Sequence, residues 1–177
     1  PLDARRLGVA MIHQELSLAP HLSIAENILL GMEPRCAGLL DRPRMRRAAR
    51  EALATLGRDD LDPDRLVGGL SVAERQLVEI GRALAVGCRV LVLDEPTSSL
   101  TQAEIPRLFD LVRALAARGH AILYISHFLE EIRAIADRYL VLRDGRLAAE
   151  GAVRDTPPET MIRAMVGRGV GDLYVRS

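Results

Sequence analysis

Val90-Leu91-Val92-Leu93-Asp94-Glu95-Pro96-Thr97-Ser98-Ser99-Leu100 is the stretch whose reading decides the fold. Four consecutive aliphatic residues, two of them β-branched, have the length and composition of a strand buried on both faces, the kind found in parallel sheets. Asp94 and Glu95 follow at its carboxyl end, which is where ligands bind in open α/β sheets. Two carboxylates at that point suit a cation and an activated water: one side chain holds magnesium, the other orients or deprotonates the attacking water. The same three residues, Asp94-Glu95-Pro96, also read as the start of a turn, since Asp and Pro are turn formers.

Working outward, Val9 to Ile12, Ala121 to Ile125 and Tyr139 to Leu142 are further apolar runs of strand length, expected in the same covered parallel sheet. Helical stretches separate them, and four S/T-x-x-E pairs mark helix starts: Ser23 with Glu26, Ser71 with Glu74, Thr101 with Glu104, and Thr156 with Glu159. Pro157 is placed at the first helical position of the last one, where a missing amide hydrogen costs nothing. The order predicts one strand, a long helical stretch to about Gly87, then alternating strand and helix. This is an α/β sheet with a helical insertion. The Arg-rich stretch from Arg42 to Arg50 reads either as a nucleic-acid patch or as the solvated face of a helix running towards Leu56. Residues 167–171, GRGVG, have the composition of a linker.

Composition excludes several classes. The 177 residues suffice for one core, with 49% hydrophobic and 27% charged residues, as in ordinary globular chains. Zero formal charge and 3% aromatics give no footprint for nucleic acid. All 24 basic side chains are Arg; the chain has no Lys. Cys36 and Cys88 lack metal-ligand spacing and are read as unreactive thiols in a reducing compartment. No apolar run approaches the ~18 residues of a membrane span.

Several stretches together resemble the ATP-binding cassettes of ABC transporters. Leu70-Ser71-Val72-Ala73-Glu74-Arg75-Gln76 resembles the signature sequence LSGGQ, at the start of a helix through about Leu84, where free amides favour phosphate. The resemblance implies that Ser71, Val72, Ala73 and Glu74 contact the ATP held by a partner cassette in a head-to-tail pair. Here Val, Ala and Glu stand where LSGGQ has Gly, Gly and Gln, adding a Cβ and a negative charge beside an anion. Gln14, after the strand Val9 to Ile12, resembles the Q-loop glutamine that reaches magnesium and the attacking water. His127 resembles the switch histidine, and Pro96 to Thr101 resembles the D-loop, with Ser99 facing the nucleotide interface and Thr101 where Asp is usual. The stretch 12–31, IHQELSLAPHLSIAENILLG, looks like cassettes that serve sugar importers, and LRDGR at 142–146 like the hairpin closing the catalytic core, with Asp144-Gly145 as its turn. MVGR at 165–168 looks like the end of the first of two fused cassettes.

On this resemblance the fold is a P-loop NTPase-type parallel sheet with an inserted helical subdomain, truncated at its N-terminus. Its parts are residues 1–14 (core strand and Q-loop), 15–88 (helical subdomain with signature), 89–150 (catalytic core with Walker B, D-loop and switch His) and 151–177 (C-terminal helix and linker start). Glu95, His127 and Gln14 are the catalytic residues and Asp94 with Gln14 the magnesium ligands; ATP and magnesium are the cofactors. A second cassette, a membrane permease and, indirectly, a sugar-binding protein are the partners, at the cytoplasmic face of the membrane, with no nucleic acid. The 177 residues hold no G-x-x-x-x-G-K-[ST], the loop whose amides and Lys cradle phosphate. The expectation is therefore a cassette begun partway, inactive alone. The alternative is a noncatalytic piece that only packs against a partner cassette or permease.

Overall fold

A computed structural model of the chain describes residues 2–14 and 17–167. It divides into two compact units, Pro1–Ile125 and Ser126–Ser177.

The first unit opens with α1 (Leu2–Arg6) and β1 (Val9–Ile12), then α2 (Ile24–Ile28). The capping box expected at Ser23 is present in full: the Ser23 hydroxyl accepts the Glu26 N–H, and the Glu26 carboxylate accepts the Ser23 N–H. A small antiparallel hairpin follows, β2 (Arg35–Cys36) and β3 (Leu39–Leu40). Next comes α3 (Arg42–Thr55), whose Asp41 cap accepts the Arg44 N–H. Arg42, Arg44, Arg46, Arg47 and Arg50 are all exposed, while Met45, Ala49, Ala52 and Leu53 are buried. The basic stretch is thus the solvated face of an amphipathic helix. α4 (Val72–Ala85) starts at the second complete capping box, Ser71 with Glu74. Ile24 and Ile28 of α2, Met45 and Leu53 of α3 and Val78 of α4 form one buried cluster with Leu61, Val67 and Leu70. Each such aliphatic side chain contributes roughly 1.5–3 kcal/mol by burial.

β4 (Val90–Asp94), α5 (Ile105–Ala117) and β5 (Ala121–Ile125) complete the unit. β4 is central in a parallel sheet of order β1-β4-β5, with Leu91 and Leu93 fully buried. Three of the four expected strands therefore lie together as read. At Thr101 the expected helix start is displaced: the Glu104 carboxylate does accept the Thr101 N–H and hydroxyl, but α5 begins at Ile105, with Pro106 in its first turn. The Thr101–Glu104 pair closes a turn ahead of the helix.

The second unit contains α6 (Leu129–Ile135), β6 (Arg138–Arg143), β7 (Arg146–Ala152) and α7 (Pro158–Val166). Here the fourth apolar run departs from expectation. Tyr139 to Leu142 belongs to β6, which pairs antiparallel with β7 in a two-stranded sheet. The hairpin turn is Asp144-Gly145, as read, with φ of 51° and 71° at the two positions. Thr156 makes no capping box: its hydroxyl donates to the Ala152 carbonyl, Pro157 is the residue before the helix, and Pro158 takes the first helical position. Gly167 is the last described residue, so the rest of the linker stretch and Arg168 of MVGR lie outside the described residues.

Candidate functional site

The site is assembled by strand register. Ile12 of β1 stands opposite Leu93 of β4, and Asp94 opposite Ile125 of β5. Gln14 and Glu95 each lie two residues beyond that Ile12–Leu93 pair, on neighbouring parallel strands about 4.8 Å apart. The carboxyl edge of the sheet thus collects Gln14, Asp94 and Glu95. Gln14 is exposed; Asp94 and Glu95 are half-buried.

The backbone at Glu95 is unusual. Its φ is +45°, in the left-handed region that non-glycine residues occupy at a cost of about 1–3 kcal/mol. Its N–H donates to the Ile125 carbonyl at 2.9 Å and its carbonyl accepts the Ser98 N–H at 3.1 Å. The chain therefore leaves β4 abruptly, and buried Pro96 and Thr97 follow. Ser99 is exposed on the succeeding turn, which the Leu100 N–H closes on the Thr97 carbonyl at 3.0 Å.

Ser71 to Glu74 form the first turn of α4. The Ser71 hydroxyl accepts the Glu74 N–H at 3.2 Å, and the Ser71 N–H donates to Glu74 Oε2 at 2.8 Å. The charge that Glu74 adds to this turn is met locally: its Oε1 lies 3.4 Å from Arg65 and 3.6 Å from Arg58. Val72 and Ser71 are exposed and Ala73 is half-buried. A cleft of about 580 Å³ opens against this turn, lined by Ser71, Ala73 and Glu74 of α4 and by Leu100, Arg107 and Leu108 across from them.

His127 is the second residue of the second unit, exposed, with its ring 4.0 Å from that of Phe128. On either side the backbone is fixed by Ser126, whose hydroxyl donates to Glu131 at 2.7 Å and accepts the Phe128 N–H at 3.0 Å. His13 and His21 are exposed and His120 half-buried. Cys36 is exposed, and burial pushes the Cys88 thiol above its ordinary pKa, so that thiol stays protonated.

Three buried polar residues carry ties to which no role attached in the sequence. Gln76 donates to the Pro96 carbonyl, Glu79 accepts the Ser17 N–H at 2.8 Å, and Asn27 secures the stretch from Ala19 to Ser23. A polar residue on the apolar face of a helix was the available signal: Gln76 and Glu79 alternate with buried Val78 and Ile80.

The parallel α/β sheet presents acidic side chains at its carboxyl edge, where open sheets of this kind bind ligands, and the comparisons give the family. Residues 2–98 match the ABC transporter family, and the chain belongs to that family. It is 51% identical over 174 residues to a ribose import ATP-binding protein of Rubrobacter xylanophilus, covering 98% of this chain and 35% of that protein. With an arabinose import ATP-binding protein of Burkholderia cenocepacia it shares 48% over 168 residues, 94% of this chain and 33% of the other. The chain thus spans about a third of the length of these relatives. Among solved structures, cbiO1 of Clostridium perfringens, part of an ABC transporter complex, superposes with a TM-score of 0.71 at 21% identity, covering 91% of this chain and 62% of that one. A metal-chelate type ABC transporter in an inward-facing conformation gives 0.75 at 24%, covering 89% and 64%. At such identities these two establish the fold.

Proposed function

We propose that this chain is the part of an ATP-hydrolysing cassette that carries the Q-loop, signature, Walker B and switch His, within a protein that energises import of simple sugars. The observation that supports it most is the register that puts Gln14, Asp94 and Glu95 at one edge of the sheet. Glu95 is the general base, drawing a proton from the attacking water. Gln14 orients that water and reaches the metal, and His127 contacts the terminal phosphate. Ser71, Val72, Ala73 and Glu74 close over a nucleotide held by the partner cassette, with Ser99 on the loop between the two.

The donor set fits magnesium rather than a metal caged by protein. Among the described residues no group of three or more His, Cys, Asp or Glu side chains comes together. Magnesium keeps several waters and takes one or two carboxylates plus phosphate oxygens, which Asp94 with Gln14 would match. When bound it neutralises charge developing on the phosphates.

The subdivision at residues 14, 88 and 150 is part of this reading, with the helical segment as the dock for a permease. No helix among the described residues is long and apolar enough to cross a membrane. The cassette would sit peripherally at the cytoplasmic face, paired with a second cassette and served indirectly by a sugar-binding protein. These 177 residues contain no Lys and no phosphate-cradling loop, and that favours a second reading for the isolated chain, a noncatalytic piece that packs against a partner.

The deciding experiment is a hybrid cassette in which residues 1–177 replace the aligned region of the Rubrobacter relative. MgATP turnover is expected in the hybrid and not in the isolated chain. Glu95→Gln in the hybrid should lower turnover by roughly 10² to 10⁴. Undiminished turnover after that substitution would place the base elsewhere.

A further inference from the structure

We infer that Gln76 is a positioning residue for Glu95, tying the first turns of the signature helix to the loop that carries the proposed base; this rests on the reading of Glu95 given above. Glu95 sits at φ +45° and can stay there only because its surroundings hold it. Two of those restraints are backbone bonds, to the Ile125 carbonyl of the adjacent strand β5 and the Ser98 N–H of its own turn. The third comes from a side chain of α4. Gln76 Nε2 donates to the Pro96 carbonyl at 2.9 Å, in a buried setting, with Gln76 itself only 5% exposed. Proline has no N–H and its φ is fixed, so the carbonyl is the one backbone handle by which position 96 can be held. Holding it fixes the Pro96–Thr97 peptide, and through the rigid proline ring the direction in which the chain leaves Glu95.

The other end of this link is functional in position. Gln76 stands about one helical turn beyond the Ser71–Glu74 cap of α4. One further turn along, Glu79 accepts the N–H of Ser17, three residues past Gln14. α4 is therefore fastened by side-chain hydrogen bonds both to the chain leaving Glu95 and to the chain leaving Gln14. A shift of Ser71 against a nucleotide moves Gln76 with it, and Pro96 must follow or lose its bond. The signature turn and the general base are in this way coupled within one chain.

The first test uses the chain itself. Gln76→Met preserves length and bulk but removes the donor. Amide hydrogen exchange of Glu95 and Ser98 is expected to speed up roughly tenfold or more, with Leu93 in mid-strand changed less than twofold. Glu79→Leu, which removes the other tie on the same helix, should leave Glu95 and Ser98 within twofold. Unchanged exchange in Gln76→Met, or equal acceleration in both variants, overturns the inference. If Gln76→Met does not fold, Gln76→Asn, one methylene too short to reach Pro96, serves in its place with the same expectations.

The second test uses the hybrid cassette. Gln76→Met should lower kcat about tenfold or more with KM for MgATP held within threefold, as expected for a misplaced reacting group. In a Glu95→Gln background it should lower kcat no further. An equal loss in both backgrounds overturns the positioning role. Should Glu95→Gln itself leave turnover intact, the assignment of the base fails, and the exchange measurement still decides whether Gln76 holds this loop.

Discussion

The N–H of Glu95 donates to the carbonyl oxygen of Ile125 across 2.9 Å, and Glu95 makes this bond from a left-handed backbone with φ of +45°. The residue that projects the second carboxylate of the acidic pair is also one of the few non-glycine residues in that conformation. Its stability and its chemistry therefore pull in opposite directions. Glu95→Gly should stabilise the chain by up to about 2 kcal/mol, the strain relieved less the extra entropy of an unfolded glycine. Glu95→Gln keeps the strain and should change stability by less than about 0.5 kcal/mol. Urea midpoints of the two variants check this; a destabilised Glu95→Gly would show that the turn is not strained.

The signature turn offers a second measurement. Ser71→Ala removes the hydroxyl that accepts the Glu74 N–H and should cost about 1 kcal/mol. Ser71→Gly, which leaves room for water at the cap, should cost only a few tenths. Denaturant titration distinguishes them, and equal losses would mean that the hydroxyl is not a cap.

Asn27 is fully buried at 0% exposure and uses both ends of its side chain. Its oxygen accepts the Ala19 N–H at 2.8 Å, and its nitrogen donates to the carbonyls of Ala19 at 3.0 Å and Ser23 at 3.0 Å. Asn27→Leu keeps the volume and strands the Ala19 N–H, while the Ala19 and Ser23 carbonyls still accept the N–H groups of Leu22 and residue 27, for an expected loss of about 1–3 kcal/mol. A loss under about 1 kcal/mol would show that water replaces the amide.

Stability should also fall in acid, for a reason visible at two helix approaches. The Ser23 N–H, then its hydroxyl, hold Glu26 below the ordinary glutamate value, and the Thr101 N–H, then its hydroxyl, do the same for Glu104. A carboxyl whose pKa is lower folded than unfolded stabilises the fold above the unfolded value and loses that contribution as the pH falls through the folded one. The unfolding free energy should therefore decline as the pH drops below about 4.5. Replacing both residues with Gln should flatten this part of the profile, measured as urea midpoints from pH 6 to pH 3.

Uninterrupted apolar runs made β1, β4 and β5 legible as strands, although the double cover such runs suggest holds best for β4, whose Leu91 and Leu93 are fully buried, and not for β5, whose Leu123 and Ile125 stay exposed. The same signal misplaced Tyr139 to Leu142. Apolarity says that a segment pairs, and the Asp144-Gly145 turn decides with what. The Thr101 and Thr156 patterns failed for one physical reason: a nearby proline fixes φ and sets where the helix can start, at Ile105 with Pro106 and at Pro158. The β2–β3 hairpin went unseen because its turn places Ala37 at φ of 50° ahead of Gly38, without the Asn or Asp that usually marks such a turn. For the site, Asp94, Glu95 and Gln14 were legible from their order after strands. Gln76 was not, since its partner Pro96 lies 20 residues away and a helical glutamine carries no signature of what it touches.

β5 has a consequence for handling the chain. Among the described residues it pairs with β4 on one side only, while Leu123 and Ile125 remain 55% and 41% exposed. Its five residues, Ala121-Ile122-Leu123-Tyr124-Ile125, carry no charge and no proline, so its bare edge is a ready template for a foreign strand. Concentrated solutions should therefore scatter light increasingly as copies zip together edge to edge, and Leu123→Lys should keep them clear. Solubility, on this account, is governed by one short ribbon of backbone rather than by the overall charge balance.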